Sequence, residues 1–90
     1  MKIKTIIKNL EKMEDNREVI GHFFNLFCVP ITKIEFNGLK INVITGKAND
    51  KAITVREAIN YLNHLDSNIN WQDIKKVKEF NSWAVLEINN

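Results

Sequence analysis

The first apolar positions of the chain recur with the period of an amphipathic helix. Five of them lie within about 120° of a helical wheel: Ile3, Ile6, Ile7, Leu10 and Met13. Lys4, Lys8 and Lys12 follow one another at i, i+4 spacing on a different side of the same wheel. The pattern predicts a short helix over residues 3–13, with its apolar stripe on the core and its lysines in solvent.

A denser apolar stretch follows and predicts a second helix over residues 16–28. Its apolar residues cover more than half of a helical circumference: Val19, Ile20, Phe23, Phe24, Leu26 and Phe27. Asp15 precedes it, and Glu18 stands three residues later, as in a capping box. Pro30 ends the helix because the residue before a proline avoids helical geometry. We expect this helix to lie at the centre of the core, with Phe23 and Phe27 buried.

Residues 31–45 alternate between apolar and polar, which is typical of two half-buried strands. Asn37-Gly38 separates them and is the favoured pair for a two-residue type I′ turn. Such a turn sets the register of the hairpin. Its predicted cross-strand pairs are Phe36 with Leu39, Ile34 with Ile41, Thr32 with Val43, and Glu35 with Lys40 on the other face.

The C-terminal half predicts one more helix and one more hairpin. Thr54 and Glu57 form a T-x-x-E capping box, which starts a helix with the stripe Val55, Ala58, Ile59, Leu62 and Leu65. Residues 76–80 and 83–88 favour a hairpin around Asn81-Ser82. Residues 71–74 are compatible with a helical turn capped by Asn70, and whether Trp71 to Phe80 is helical or extended stays open. The whole predicts one α+β domain over residues 1–90, in the order α-α-β-β-α-β-β, with helices on one face of a four-stranded antiparallel sheet.

Charge and cysteine content narrow the functional classes. The chain has 13 basic and 11 acidic residues, a net charge of +2, which is not the basic footprint of a dedicated nucleic-acid-binding protein. A lone cysteine cannot form an internal disulfide, and no signal-peptide core or membrane span is visible, so we expect a cytoplasmic protein. Lys, Asn and Ile make up 37 of the 90 residues, which favours an AT-rich bacterial or phage genome.

Catalysis, metal binding and cofactor binding are not expected. On a helix, His22 and Cys28 would diverge, whereas a thiolate nucleophile needs a histidine within hydrogen-bond reach. We therefore interpret Cys28 as a buried, inert thiol, and His22 and His64 as surface residues. Two histidines and one cysteine without tight spacing do not form a zinc site.

The segment from Trp71 to Trp83 is the candidate contact surface. It combines aromatic residues with lysines, and its alternation gives no clear inner and outer face. The candidate partner-binding residues are Trp71, Lys75, Lys76, Lys78, Phe80 and Trp83. The leading hypothesis is a non-catalytic protein-binding regulator, adaptor or inhibitor, encoded by a mobile element and acting on a host protein. The alternatives are a weak nucleic-acid-binding accessory protein that uses the same residues, and a structural subunit of a larger assembly. The oligomeric state stays open.

Overall fold

A computed structural model describes residues 1–23, 27–38 and 40–89, with the backbone alone at Phe27. Within these ranges the chain forms a small α+β domain of two helices and five strands. In chain order the elements are α1 (Ile3–Glu11), β1 (Glu18–Phe23), β2 (Phe27–Phe36), β3 (Ile41–Thr45), α2 (Val55–Asn63), β4 (Ile74–Phe80) and β5 (Trp83–Ile88). The α+β class is confirmed, but the predicted order of elements is wrong at its second position, which is a strand.

The strands form one sheet in the order β3-β2-β1-β5-β4. β1 runs parallel to β5, with Val19 opposite Ala84 and Gly21 opposite Leu86. The other three pairings are antiparallel. The sheet is therefore mixed, and the prediction of four antiparallel strands is wrong. β1 is the strand that the prediction lacked, and it lies between β2 and β5 in the sheet. The chain that connects β1 to its parallel partner β5 runs through β2, β3, α2 and β4.

The predicted helix over residues 16–28 is replaced by β1 and the beginning of β2. β1 lies between two neighbours and is buried on both faces, with Val19 fully buried and Ile20 8% exposed. A strand buried on both faces has a nearly continuous apolar sequence, which periodicity cannot distinguish from a buried helix. Asp15 caps no helix here, and its carboxylate accepts a hydrogen bond from Arg56 at 3.3 Å. Phe24, Leu26 and the side chain of Phe27, which carried part of the prediction, lie outside the described residues.

The hairpin of β2 and β3 is confirmed, but its predicted register is wrong by two residues. Phe36 lies opposite Ile41, and Ile34 lies opposite Val43. The connection therefore spans residues 37–40 rather than two residues. Lys40 N–H donates to Asn37 Oδ1 at 3.0 Å, and Gly38 has a φ of +92°. Leu39 lies outside the described residues.

A register shift of two residues leaves every side chain on its original face. Ile34 and Ile41 are accordingly still buried, at 3% and 7% exposure. The predicted pair of Glu35 with Lys40 is wrong, because Glu35 lies opposite Asn42. The Glu35 carboxylate is instead 3.7 Å from the ammonium of Lys33.

The first and third of the three predicted helices are confirmed as α1 and α2. Ile3, Ile6 and Leu10 of α1 are fully buried. Thr54 caps α2 through the predicted box: its Oγ1 accepts from the Glu57 N–H at 3.2 Å, and its own N–H donates to Glu57 Oε1 at 3.0 Å. The apolar stripes of both helices belong to one core cluster together with inward residues of the sheet. Both helices therefore pack on the same face.

The C-terminal hairpin is also confirmed. β4 and β5 are joined by Asn81-Ser82, with Phe80 opposite Trp83 and Asn81 in the left-handed region at a φ of +53°. β4 contains an irregularity between Ile74 and Lys76. Residues 71–74 form a turn, closed by the Ile74 N–H donating to Trp71 O at 3.3 Å, and the extended chain begins at Ile74.

Candidate protein-interaction face

The sheet has a second face on which neither described helix packs. Ala84, Leu86 and Ile88 point into the core with the helices. Since side chains alternate along a strand, the residues between them point the other way, and the register identifies their neighbours. We call this surface the open face. It comprises Glu18, Ile20 and His22 of β1, Cys28 and Pro30 of β2, Lys76, Lys78 and Phe80 of β4, and Trp83, Val85 and Glu87 of β5.

The centre of the open face is apolar and buried. Ile20 lies between Pro30 and Val85 on its two neighbouring strands. Ile20 and Val85 are 8% and 3% exposed, and Pro30 is also buried. A sheet face turned to solvent normally carries polar residues. This centre is already covered within the chain, so the surface that a partner can reach is formed by the more exposed side chains around it.

An aromatic pair stands at the end of the face where the C-terminal hairpin turns. The rings of Phe80 and Trp83 have centroids 6.4 Å apart and are tilted by 37°. Trp83 is half-buried, but Phe80 is 55% exposed, more than Phe36 and Ile44, the other large apolar side chains that are exposed in the described part of the chain. Aromatic pairs of this geometry hold each other in place. The exposed ring is thus presented to solvent at the turn end of the paired strands β4 and β5.

A shallow pocket of about 280 Å³ adjoins this pair. Ile20, Pro30 and Trp83 contribute apolar walls, while Glu18 and Asp50 place two carboxylates on its lining. A pocket beside an exposed ring is the arrangement in which a partner's side chain can be anchored.

Charged residues lie beside the apolar centre, on the side of the open face where β4 runs. Lys78 Nζ is 3.6 Å from Glu87 Oε2, and both side chains are partly buried. Lys76 lies opposite Glu87 on the neighbouring strand. The lysines of this face are therefore partly neutralised by a carboxylate, and the face has mixed charge.

The structure brings four of the six predicted contact residues together: Lys76, Lys78, Phe80 and Trp83 share the open face. Trp71 does not join them, because it is only 4% exposed and packs in the core on the helix side. Lys75 is exposed at the irregularity of β4. That irregularity displaces the alternation by one residue, which explains why the sequence showed no clear inner and outer face.

Arg17 holds the turn of the C-terminal hairpin against the beginning of β1. Its Nη1 donates to Asn81 O at 2.8 Å, and its Nη2 lies 3.4 Å from Glu79 Oε2. The Arg17 side chain is only 14% exposed. The sequence interpretation missed this role, since it placed Arg17 in the first turn of a helix.

Cys28 and His22 are closer than predicted. The prediction of a buried thiol is wrong, because Cys28 is exposed. It lies opposite His22, whose other neighbour is Glu87. Between described residues, however, no hydrogen bond joins His22 to either of them, and a nucleophile with its base needs one. No group of three or more His, Cys, Asp and Glu side chains in the described ranges could hold a metal ion.

The lysines of the α1 stripe do not extend the open face. Lys4, Lys8 and Lys12 are exposed on α1 or its C-terminal end, on the helix side of the sheet. His64 is likewise exposed, at the end of α2. The basic groups are therefore divided between two sides of the molecule.

Comparison with protein-family models, with curated proteins and with solved structures finds no match for this chain. Neither of the helices in the described ranges is long and apolar enough to cross a membrane. The geometry of the open face is consequently the feature that bears on function.

Proposed function

We propose that this chain is a non-catalytic protein-binding regulator, adaptor or inhibitor that acts through its open face in the cytoplasm. The observation that carries the proposal is the exposed Phe80 ring, held by Trp83 beside a pocket and a buried apolar centre. Aromatic residues in such surroundings are the usual anchors of protein interfaces. The Lys-, Asn- and Ile-rich composition favours a mobile-element origin and a host protein as the target.

The distribution of polarity on the open face supports a protein partner. Phe80 and the half-buried Trp83 supply the apolar surface that a partner can reach, while Lys78, Glu87 and Glu18 add charges of both signs to the same face. Protein interfaces commonly combine a core depleted of charge with a polar rim. The mixed signs of the rim give a partner both donors and acceptors to match, which favours specificity more than raw affinity.

A nucleic-acid-binding accessory protein is the second candidate. Lys76 and Lys78 lie beside Phe80 and Trp83, and single strands are often bound by stacked aromatic residues next to cations. The pairing of Lys78 with Glu87 weakens this candidate, as does the placement of Lys4 and Lys8 on the other side of the sheet. A structural subunit of an assembly would use the same open face in a permanent contact.

The test is affinity capture from cells of the source organism, with and without nuclease, using matched phenylalanine variants. Phe80→Ala removes the exposed ring of the open face. Phe36→Ala removes a ring of similar exposure, 46%, from the helix side of the sheet. We expect a stoichiometric protein partner that survives nuclease, is lost with Phe80→Ala, and is kept with Phe36→Ala.

A charge-reversed variant separates the two binding hypotheses. Changing Lys75, Lys76 and Lys78 to Glu should abolish nucleic-acid binding at low salt, because each phosphate contact contributes through counterion release. A protein held by aromatic anchors should lose mainly association rate. Nuclease-sensitive capture that the triple variant abolishes would contradict the protein-binding proposal in favour of nucleic acid.

A further inference from the structure

The two edges of the sheet differ in their protection against strand addition. β4 carries Lys75, Lys76 and Lys78 together with an irregularity, features that natural proteins use to block pairing at an edge. β3 consists of Ile41, Asn42, Val43, Ile44 and Thr45, with no charge, proline or glycine. Ile44 is 39% exposed. An uncharged, β-branched edge is a template for another strand.

The backbone of β3 presents its free groups in a regular pattern. The Gly46 N–H donates to Pro30 O at 3.0 Å, and Ile44 O accepts from Thr32 Oγ1 at 3.2 Å, so the even-numbered residues direct their backbone groups toward β2. Neighbouring residues direct theirs to the opposite side. The N–H and C=O groups of Ile41, Val43 and Thr45 therefore point outward, and no strand in the described ranges lies beyond β3.

We propose that β3 pairs with β3 of a second copy of this chain, antiparallel and centred on Val43. This register sets Val43 opposite its counterpart and Ile41 opposite Thr45, so that all five residues of the strand are paired. Each outward N–H then meets an outward C=O. The absence of charge in β3 removes the like-charge repulsion that symmetric pairing of β4 would create. The two open faces then lie on the same side of one continuous sheet.

Charge complementarity at the ends of β3 supports this occupant and register. Residue 40 of one copy is placed opposite Gly46 of the other. Lys40 is exposed, and the space beside Gly46 holds the carboxylate of Asp50, whose Oδ2 lies 2.6 Å from the position of an added Cβ. Lys40 and Gly46 share the open side of the strand. The twofold symmetry thus brings each Lys40 to an Asp50 of the other copy, twice per dimer.

The first test measures the oligomeric state by sedimentation velocity over a concentration series. Thr45→Pro removes one outward N–H without touching a bond to β2, since proline is tolerated at the outer side of an edge strand. Thr45→Val keeps that N–H and serves as the matched control. We expect the parent and Thr45→Val to dimerise with concentration, and Thr45→Pro, checked for folding by circular dichroism, to stay monomeric. A parent that is monomeric at every concentration overturns the proposal.

The second test uses charge reversal and does not depend on the proline variant. Lys40→Glu and Asp50→Lys should each weaken self-association several-fold, since both place like charges at the two ends of the interface. An equimolar mixture of the two variants restores both attractive pairs, so we expect a heterodimer in native mass spectrometry. Failure of the mixture to associate better than either variant contradicts this register. Protection of β3 amides only by an added extended peptide would assign the edge to another occupant and overturn the second-copy proposal.

The pairing of β3 and the protein-binding function of the open face can be tested independently of each other. Phe80 lies on β4, at the opposite edge of the sheet from β3. We therefore expect a monomeric Thr45→Pro chain to capture the same partner as the parent, which would support two separate surfaces. Loss of capture with Phe80→Ala should leave the sedimentation behaviour unchanged.

Discussion

The substitution Gly21→Ala distinguishes the observed strand β1 from the helix that the apolar pattern predicted. The two structures predict opposite signs for its effect on the free energy of unfolding. In a helix, alanine is more favourable than glycine by about 0.5–1 kcal/mol. In β1, a Cβ at residue 21 would lie 2.9 Å from Phe23 Cε2, 3.3 Å from Ile88 Cδ1 and 3.4 Å from Ile31 Cδ1. The first of these distances is too short for a carbon contact. The structure therefore predicts that Gly21→Ala destabilises the protein.

The magnitude follows from which neighbours can move. Overpacking costs roughly 1–3 kcal/mol, and the reduced freedom of the unfolded chain offsets about 0.4–1 kcal/mol of it. The Phe23 ring is half-buried and can rotate, so we expect a net loss of about 1 kcal/mol, or about 4–8 °C in Tm for a domain of this size. Gly21→Val adds methyl groups against the buried Ile31 and Ile88 and should cost roughly 2–3 kcal/mol.

Urea unfolding followed by circular dichroism and tryptophan fluorescence measures these differences. In a Phe23→Ala background the cost of Gly21→Ala should shrink, because the closest contact is gone. Gly38→Ala is the control: among the described residues, no atom beyond its own chain neighbours lies within 4 Å of its Cβ position, and its φ of +92° makes any loss a backbone effect. That loss should be the same in both backgrounds. A higher unfolding midpoint for Gly21→Ala would refute the strand assignment of β1.

Three further outcomes are expected. Cys28 should react with a thiol reagent in the native protein without denaturant, and Cys28→Ser should change stability by less than about 0.5 kcal/mol; reaction only after unfolding would contradict its exposed position. Arg17→Ala should cost about 1–3 kcal/mol and accelerate amide exchange at the Asn81-Ser82 turn, and unchanged exchange there would refute the clamp. Thr54→Ala should lower the free energy of unfolding by about 1 kcal/mol, while Thr54→Ser restores it; equal stability of both would argue against the capping box.

The elements that the sequence predicted correctly each carry a local signal. α1 has a single apolar stripe, α2 begins at the Thr54–Glu57 box, and the C-terminal hairpin turns at Asn81-Ser82. β1 has no such signal, because it is buried on both faces and pairs in parallel with a strand more than sixty residues away. The register of β2 and β3 escaped prediction for another reason: a shift of two residues satisfies the same apolar pattern.

The candidate site was predictable only in its aromatic and basic part. Composition singled out Phe80, Trp83 and their lysines, but it grouped Trp71 with them, whereas Trp71 lies ahead of β4 and packs in the core. The apolar centre around Ile20 depends on the pairing of β1 with β5, which no short-range pattern contains. The run from Trp83 to Leu86 did hold one clue, since four successive apolar residues are typical of a strand buried on both faces.

The most direct test of the central claim is a binding titration of the captured partner with the parent, Phe80→Ala and Phe36→Ala, by calorimetry at fixed salt. An interface anchor should contribute at least about 2 kcal/mol, which raises Kd about 30-fold. We therefore predict that Phe80→Ala binds about 30-fold more weakly, while the free energy of unfolding falls by no more than about 1.5 kcal/mol through loss of the contact with Trp83. Phe36→Ala should bind like the parent. Equal affinities for the two variants would contradict the assignment of the open face as the binding surface.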